Sequence, residues 1–325
     1  MFRLVLAACL LLVTGPTGPT PTRDSWESRD TVGYWSRERI VNAQPADLLP
    51  FPRHDVAPPD SAPPAVPPGY GARRTVPGRK VLTPGGDRLG YSPVTRPYTG
   101  AHRLTGILLS HDPVARRDIA CGAAVVRSRS RSLVLTAAHC LYAGGRPLTH
   151  VAFLPAYNGQ RSGQQPLGVW PAMRVWVPKR WRERPYSPAQ LPYDFGLAGV
   201  MRDAKLLEEV TGPGLRPLLT RRRSSMSGLE LLGYPVGRSY PGTDMYRCLG
   251  DAVDGGAAGP GVLVTHNCQA ANGTSGGPAV RGDAVAGVVS SSSPLSDASG
   301  YTVLTRLTPE PFGRLLAKAD HVMRH

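Results

Sequence analysis

The chain has 325 residues, with 38 lysines and arginines against 23 acidic residues and a formal net charge of +15. This length allows a sizeable core, and the positive charge makes an anionic wall or membrane surface a candidate partner beside the simpler interpretation of a basic, soluble surface. The basic runs at residues 127–131 and 221–223 lack interleaved aromatic residues and any adjacent nucleic-acid-binding motif. Nucleic acid is therefore not expected as a partner.

The N-terminus is typical of an export signal. Arg3 is followed by an apolar run over residues 4–13 and then by a polar, Pro- and Gly-rich stretch. A membrane-spanning helix needs about 20 apolar residues, which is more than this run offers. We therefore expect residues 1–19 to be a signal peptide, the protein to be secreted, and the chain to have no transmembrane segment. Lipidation at Cys9 is the less favoured alternative.

Residues 20–80 are rich in proline and poor in apolar periodicity. Such a segment buries little surface, so it is predicted to stay extended or disordered as a pro-segment or wall-spanning linker. A dibasic pair ends it, and we expect cleavage of a zymogen between Lys80 and Val81. Sites after Arg74 and near Pro97 are the alternatives.

Residues 81–325 are predicted to form an all-β domain with its barrel core at about 97–307. Short apolar runs separated by turn residues, with little helix between them, are typical of a β-sandwich or barrel. The predicted strands are residues 123–126, 133–136, 151–154, 174–177, 229–232, 262–265, 284–290 and 301–307.

The five cysteines carry information because the protein is expected to be exported. If Cys9 leaves with the signal, four remain, and the natural short-range pairing is Cys121–Cys140 and Cys248–Cys268. A crossed pairing is the alternative. No closely spaced Cys or His cluster suggests a metal site.

A closing amphipathic helix is predicted at residues 308–325. Thr308 is an expected N-cap followed by a proline, and apolar residues then recur at helical spacing.

A glycine-rich stretch surrounds Ser275 in the sequence ANGTSGGPAV at residues 271–280. A surface loop would explain this composition, but two partners for a nucleophilic serine are present. His139 follows an apolar strand, and Asp194 begins another. A serine hydroxyl needs a base to attack, and the base needs an acid behind it. The aspartates at 244, 251 and 254 rank below Asp194 because they lie in turn-like surroundings.

Four motifs together resemble the trypsin-like (chymotrypsin-fold) serine peptidases. They are CG at residues 121–122, LTAAHC at 135–140, DFGL at 194–197 and GTSGGP at 273–278. The resemblance implies two packed antiparallel β-barrels, with His139 and Asp194 in the first and Ser275 in the second. It also implies an oxyanion hole formed by the backbone N–H groups of Gly273 and Ser275, and no cofactor.

Two further stretches resemble the bacterial secreted glutamyl endopeptidase branch of this family. They are GYP at residues 233–235 and VLTPGGDR at residues 81–88, which looks like the mature N-terminus of those enzymes. Thr274 fits the same branch. Animal relatives carry an aspartate there that pairs with the ammonium group freed on activation, and threonine has no charge to pair.

The predicted specificity pocket is neutral. Gln269 stands where trypsins keep an aspartate, and Val289 stands where glutamyl endopeptidases have a histidine. Ser290 and Ser292 complete the predicted lining. Because no side chain of this set can neutralise a charged substrate residue, we expect a preference for uncharged residues before the scissile bond.

The sequence thus predicts a monomeric, secreted serine endopeptidase that acts on proteins or peptides. Two alternatives remain open. One is a catalytically silent peptidase-fold protein that binds an anionic wall or polysaccharide surface. The other is an ester hydrolase or transferase with the same acyl-enzyme chemistry.

Overall fold

The computed structural model describes residues 28–47, 49, 83–159, 165–220, 225–237, 239–255, 261–293 and 300–325. The predicted signal peptide at residues 1–19 and the cleavage site between Lys80 and Val81 lie outside these residues. None of the helices within the described ranges is both long and apolar enough to cross a membrane.

Nineteen short strands dominate the described part of the chain. In chain order they are β1 (Gln44–Pro45), β2 (Ser92–Pro93), β3 (Thr105–Asp112), β4 (Arg117–Val126), β5 (Leu133–Thr136), β6 (Tyr142–Ala143), β7 (Arg146–Pro147), β8 (Thr149–Pro155), β9 (Trp170–Trp176), β10 (Gly196–Val200), β11 (Arg216–Pro217), β12 (Met226–Gly233), β13 (Val236–Gly237), β14 (Tyr240–Pro241), β15 (Tyr246–Asp254), β16 (Val262–Thr265), β17 (Pro278–Arg281), β18 (Ala284–Ser292) and β19 (Thr302–Arg306).

The α-helices in the described residues are short. They are α1 (Ser28–Tyr34), α2 (Arg37–Asn42), α3 (Gly100–Leu104), α4 (Lys179–Glu183), α5 (Leu207–Thr211) and α6 (Arg314–Val322). Two 3₁₀ turns, Ala138–Cys140 and Pro188–Tyr193, lie at the ends of strands or just before them.

Six antiparallel strands form the first barrel, in the order β4, β3, β8, β9, β10 and β5, and the pairing of β4 with β5 closes it. The second barrel has the order β18, β17, β12, β15, β16 and β19, and the pairing of β18 with β19 closes it. Each barrel encloses its own apolar side chains, among them Phe153 and Leu135 in the first and Leu231 and Leu304 in the second. The predicted all-β fold of two packed barrels is confirmed.

The C-terminal helix differs in one respect from its prediction. Regular α-helix begins at Arg314 rather than directly after Thr308, and Glu310 has extended backbone angles. Pro311 follows Glu310, and a proline disfavours helical backbone in the residue before it. The helical spacing of the apolar residues located the helix but could not show this late start.

Residues 28–47 also differ from the expected disorder. Helices α1 and α2 precede β1, which pairs in parallel with β4 of the first barrel. Trp35 and Ile40 are 4% and 5% exposed, so two large apolar side chains anchor this part of the segment. The average composition of a Pro-rich stretch does not reveal such isolated anchors.

Residues from Thr83 onward, two positions beyond the predicted start at Val81, pack on the second barrel. Leu249 donates its backbone N–H to Oγ1 of Thr83 at 2.7 Å. Val94 donates its backbone N–H to the carbonyl of Met245 at 2.9 Å. The chain is therefore part of the folded domain from Thr83 onward, close to the predicted start at Val81.

Both predicted disulfides are present. Cys121 pairs with Cys140, and Cys248 pairs with Cys268. The first joins β4 to the turn that carries His139. The second joins β15 to the chain that leads to Gln269.

Candidate active site

His139 sits in the 3₁₀ turn that directly follows β5. Its backbone N–H donates to Oδ1 of Asp194 at 2.9 Å, and its Nδ1 lies 2.8 Å from Oδ2 of the same carboxyl group. A ring nitrogen can donate to a carboxylate only when it carries a proton. Whenever the imidazole carries a single proton, this contact requires that proton on Nδ1, and Nε2 is then an acceptor.

Asp194 lies between the 3₁₀ turn Pro188–Tyr193 and β10, and its side chain is fully buried. Ser290 on β18 of the second barrel donates its hydroxyl to Oδ2 of Asp194 at 2.5 Å. The carboxyl group thus accepts two hydrogen bonds from His139 and one from the opposite barrel. A carboxylate without access to water requires such hydrogen-bond donors from the protein.

Ser275 lies against the disulfide next to His139. Its carbonyl accepts from the N–H of Gly122 at 2.7 Å and is 3.9 Å from Sγ of Cys140. Within the described residues, neither Oγ of Ser275 nor Nε2 of His139 has a hydrogen-bond partner, although both atoms are buried. A hydroxyl donor and an imidazole acceptor are therefore both available for a reacting group.

The loop around Ser275 depends on glycine at two positions. Gly273 has φ +89°, and a Cβ there would lie 2.4 Å from the carbonyl oxygen of Tyr234. Gly276 has φ +77°, and a Cβ there would lie 2.3 Å from Oγ1 of Thr136. Positive φ at these positions and close neighbours exclude other residues. The glycines thus let the loop turn sharply around the serine.

Thr274 is buried inside the same loop and is satisfied within it. Its hydroxyl donates to the carbonyl of Ala271 at 2.7 Å. The uncharged residue at this position therefore needs no external ion pair.

The four residues predicted to line the specificity pocket make different contacts in the structure. Gln269 is buried and donates from Nε2 to Oγ of Ser293 at 3.1 Å, and Ser292 donates to the carbonyl of Tyr301 at 3.0 Å. Val289 is fully buried within the apolar core of the second barrel. Ser290 instead turns its hydroxyl to Asp194. The sequence contained no signal for this last contact, because it joins residues of two different barrels.

The competing aspartates have other partners. Asp244 pairs with Arg96, and Oδ1 of Asp251 accepts from the backbone N–H of Gly228 at 2.8 Å. Oδ2 of Asp254 lies 3.5 Å from a guanidinium nitrogen of Arg306. Of the four candidate acids, Asp194 is the one that contacts His139.

Cys121, His139 and Cys140 lie close enough together to resemble a metal-binding group. Both sulfur atoms belong to one disulfide, however, and only a thiolate is an effective metal ligand. This cluster therefore has the wrong chemistry for a metal site.

The sequence profile of the family described as Trypsin matches residues 106–310. The chain belongs to the trypsin family. The matched stretch contains all three residues of the predicted triad. Membership of this family supports a serine peptidase. No curated protein matches the chain.

Solved structures of trypsin-family proteins share the fold. Protease Anisep from Arthrobacter nicotinovorans is similar with 21% identity and a TM-score of 0.57, over 69% of this chain and 98% of its own. A Glu endopeptidase is similar with 14% identity and a TM-score of 0.55, over 71% and 96%. The scabies mite inactivated protease paralogue S-I1 is similar with 18% identity and a TM-score of 0.50, over 68% and 95%. At these identities the likeness concerns the fold alone.

Replacement of Gly276 by alanine should destabilise the fold more than the same change at Gly282. Both glycines have positive φ, so both variants bear the cost of that backbone conformation. A Cβ at Gly282 meets open space, whereas one at Gly276 meets two oxygen atoms within 2.5 Å. We expect Gly276→Ala to lose at least about 2 kcal/mol more in denaturant unfolding than Gly282→Ala. Equal losses would mean that the loop is not tightly constrained.

Proposed function

We propose that the protein is a secreted serine endopeptidase that hydrolyses peptide bonds through Ser275, His139 and Asp194. The observation that carries the proposal is the double contact of buried Asp194 with His139 beside a serine with no partner of its own. Asp194 orients the imidazole and stabilises the imidazolium formed when His139 takes the proton of the serine hydroxyl.

The reaction follows from these positions. Ser275 attacks the peptide carbonyl as His139 accepts its proton, and His139 then donates that proton to the leaving amine. The backbone N–H groups of Gly273 and Ser275 stabilise the oxyanion. Water then attacks the acyl-enzyme with His139 again as the base, and the second product leaves. These steps use groups of the chain itself.

Secretion and processing complete the proposal. A signal peptide at residues 1–19 would direct export, and two disulfides fit an oxidising compartment. Cleavage between Lys80 and Val81 would release a chain that packs on the second barrel from Thr83 onward. Terminal sequencing of the secreted protein tests this. A mature chain that still begins near residue 20 would instead make the segment a permanent linker.

A catalytically silent binding protein is the alternative that the comparisons keep open. The scabies mite paralogue is described as inactivated and has the same fold, so the fold by itself is not evidence of activity. The contact of His139 with Asp194, and the presence of Ser275 in the glycine-rich loop, support the active alternative. An ester substrate would use the same steps, and turnover of matched ester and peptide substrates separates the two.

Ser275→Ala should abolish both peptide hydrolysis and labelling by a fluorophosphonate probe. The hydroxyl is the nucleophile, and loss of one member of a triad typically lowers kcat by about 10⁴-fold or more. Ser227→Ala is the matched control, because Ser227 is exposed on β12 in the second barrel. Steady-state kinetics and the thermal unfolding of each variant check the result. Activity that survives in Ser275→Ala with an unchanged fold would refute the assignment.

Cleavage of a peptide library should show a preference for uncharged residues before the scissile bond. Gln269, Val289 and Ser292 provide no charge, and a buried substrate charge without a partner is costly. Mass spectrometry of the library products gives the profile, with the Ser275→Ala variant as the blank. Dominant cleavage after Glu or after Arg and Lys would show that a charged group outside this set enters the pocket.

A further inference from the structure

We propose that residues 28–47, with Leu49, are a built-in inhibitor that crosses the active site in the direction opposite to a substrate and occupies the oxyanion hole. The inference rests on the proposed peptidase function and adds its regulation. Three sets of contacts support it. They are an aromatic anchor on the first barrel, a strand pairing with β4, and hydrogen bonds of Ala46 to Gly273 and of Leu49 to β18.

The anchor begins with Trp35, which is 4% exposed and packs into the core of the first barrel. Its indole Nε1 donates to the carbonyl of His150 at 2.6 Å. The neighbouring Tyr34 stacks its ring on the His150 imidazole, with 3.9 Å between the ring centroids and an interplanar angle of 1°. Two consecutive aromatic residues thus contact His150 of the first barrel.

A polar network extends the anchor. Tyr34 donates its hydroxyl to Asp118 at 2.6 Å and lies 2.8 Å from Nδ1 of His111. Arg39 donates to Asp118 at 2.8 Å. Burial, reinforced by the Asp118 carboxylate, raises the pKa of Tyr34 to about 12, so its hydroxyl remains a donor at neutral pH. The docked segment therefore supplies two donors to the Asp118 carboxylate of the first barrel.

From this anchor the segment runs along β4 towards the nucleophile. Gln44 lies opposite Ile119 and Pro45 lies opposite Ala120 in a parallel pairing. The N–H of Ala46 donates to the carbonyl of Ala120 at 2.9 Å. Cys121, which follows Ala120, forms the disulfide to the turn of His139. The pairing thus delivers Ala46 to the edge of the active site.

Ala46 then reaches the proposed oxyanion hole. The N–H of Gly273 donates to the carbonyl of Ala46 at 3.3 Å. Beyond it, Leu49 donates its N–H to the carbonyl of Ser290 at 3.2 Å and accepts from the hydroxyl of Ser291. Ser275 is fully buried in this arrangement. A substrate carbonyl and the segment therefore compete for the same N–H donor.

The direction of the segment explains why it would inhibit rather than react. In a substrate, the residue that carries the scissile carbonyl would enter the specificity pocket. Three of the four predicted pocket residues lie on β18, so we expect the chain that precedes this carbonyl to lie along β18. In this segment it is the chain after Ala46 that lies along β18, at Leu49, whereas the chain before it lies along β4. Attack on Ala46 would therefore present the leaving amine on the side of the pocket rather than at His139. His139 could then not protonate that amine.

The test uses the intact full-length chain and a fluorophosphonate probe, with mass spectrometry to confirm that the chain remains uncut. Trp35→Ala removes the apolar anchor, and Ala46→Pro removes the N–H that pairs with Ala120. Val32→Ala is the matched control, because Val32 lies in the same helix as Tyr34 and is 44% exposed. Thermal unfolding of each protein confirms that the barrels remain folded.

We expect intact Trp35→Ala and Ala46→Pro to react with the probe roughly tenfold faster or more than the intact wild type, which corresponds to about 1.4 kcal/mol of lost docking. The Val32→Ala control should react at the wild-type rate. Ala46→Pro keeps the proposal testable if Trp35→Ala does not fold. Equal rates for the intact wild type and both folded variants would overturn the inhibitor assignment.

A chain freed of its first 80 residues separates this inference from the proposed function. If the freed chain reacts and the intact variants do not, the peptidase function stands and the inhibitor assignment is wrong. If no form of the protein reacts, the peptidase function itself fails, and the inference fails with it. Prolonged incubation adds one further check: a fragment that begins at Asp47 would show that the segment binds as a substrate and not in reverse.

Discussion

The buried carboxyl group of Asp194 is the constraint on which the rest of the site depends. It has no access to water, so its oxygens must be satisfied by protein donors. The backbone and ring of His139 supply two of these donors, and the hydroxyl of Ser290 supplies the third from the other barrel. One residue therefore fixes the orientation of the imidazole and links it to the second barrel.

The loop around Ser275 is placed by close approach of the two barrels. A Cβ on Gly122 would lie 2.7 Å from the backbone of Gly277, so β4 and the loop touch without side chains between them. The hydrogen bond from Gly122 to the carbonyl of Ser275 and the disulfide from Cys121 to Cys140 act at the same point. Strand β4 therefore contacts the loop of Ser275 through Gly122 and is joined to the turn of His139 through Cys121.

The same architecture suits an occupied state and a free state of the proposed enzyme. Gly273 and the backbone of β18 offer hydrogen bonds to any extended chain in the cleft, and Ala46 and Leu49 use them. The aromatic anchor at Tyr34 and Trp35 lies on the first barrel and touches none of the three triad residues. Part of the docking therefore depends on contacts at Tyr34 and Trp35 that lie away from the triad, whereas the contact of Ala46 with Gly273 uses a group of the proposed active site.

The sequence by itself predicted the all-β class, the favoured disulfide pairing and the candidate triad, because apolar runs, cysteine spacing and the contexts of His139, Asp194 and Ser275 are local signals. Tertiary structure decided the contact of Ser290 with Asp194, since those residues are far apart in sequence and meet only when two barrels pack. Pro311 already stands in the sequence and accounts for the late start of the final helix. Tertiary structure also decided the ordered path of residues 28–47. That path depends on a few buried side chains and on backbone pairing with a distant strand. Hydrogen bonds between distant backbones leave no mark on composition or periodicity, so only the folded chain could show what covers the cleft.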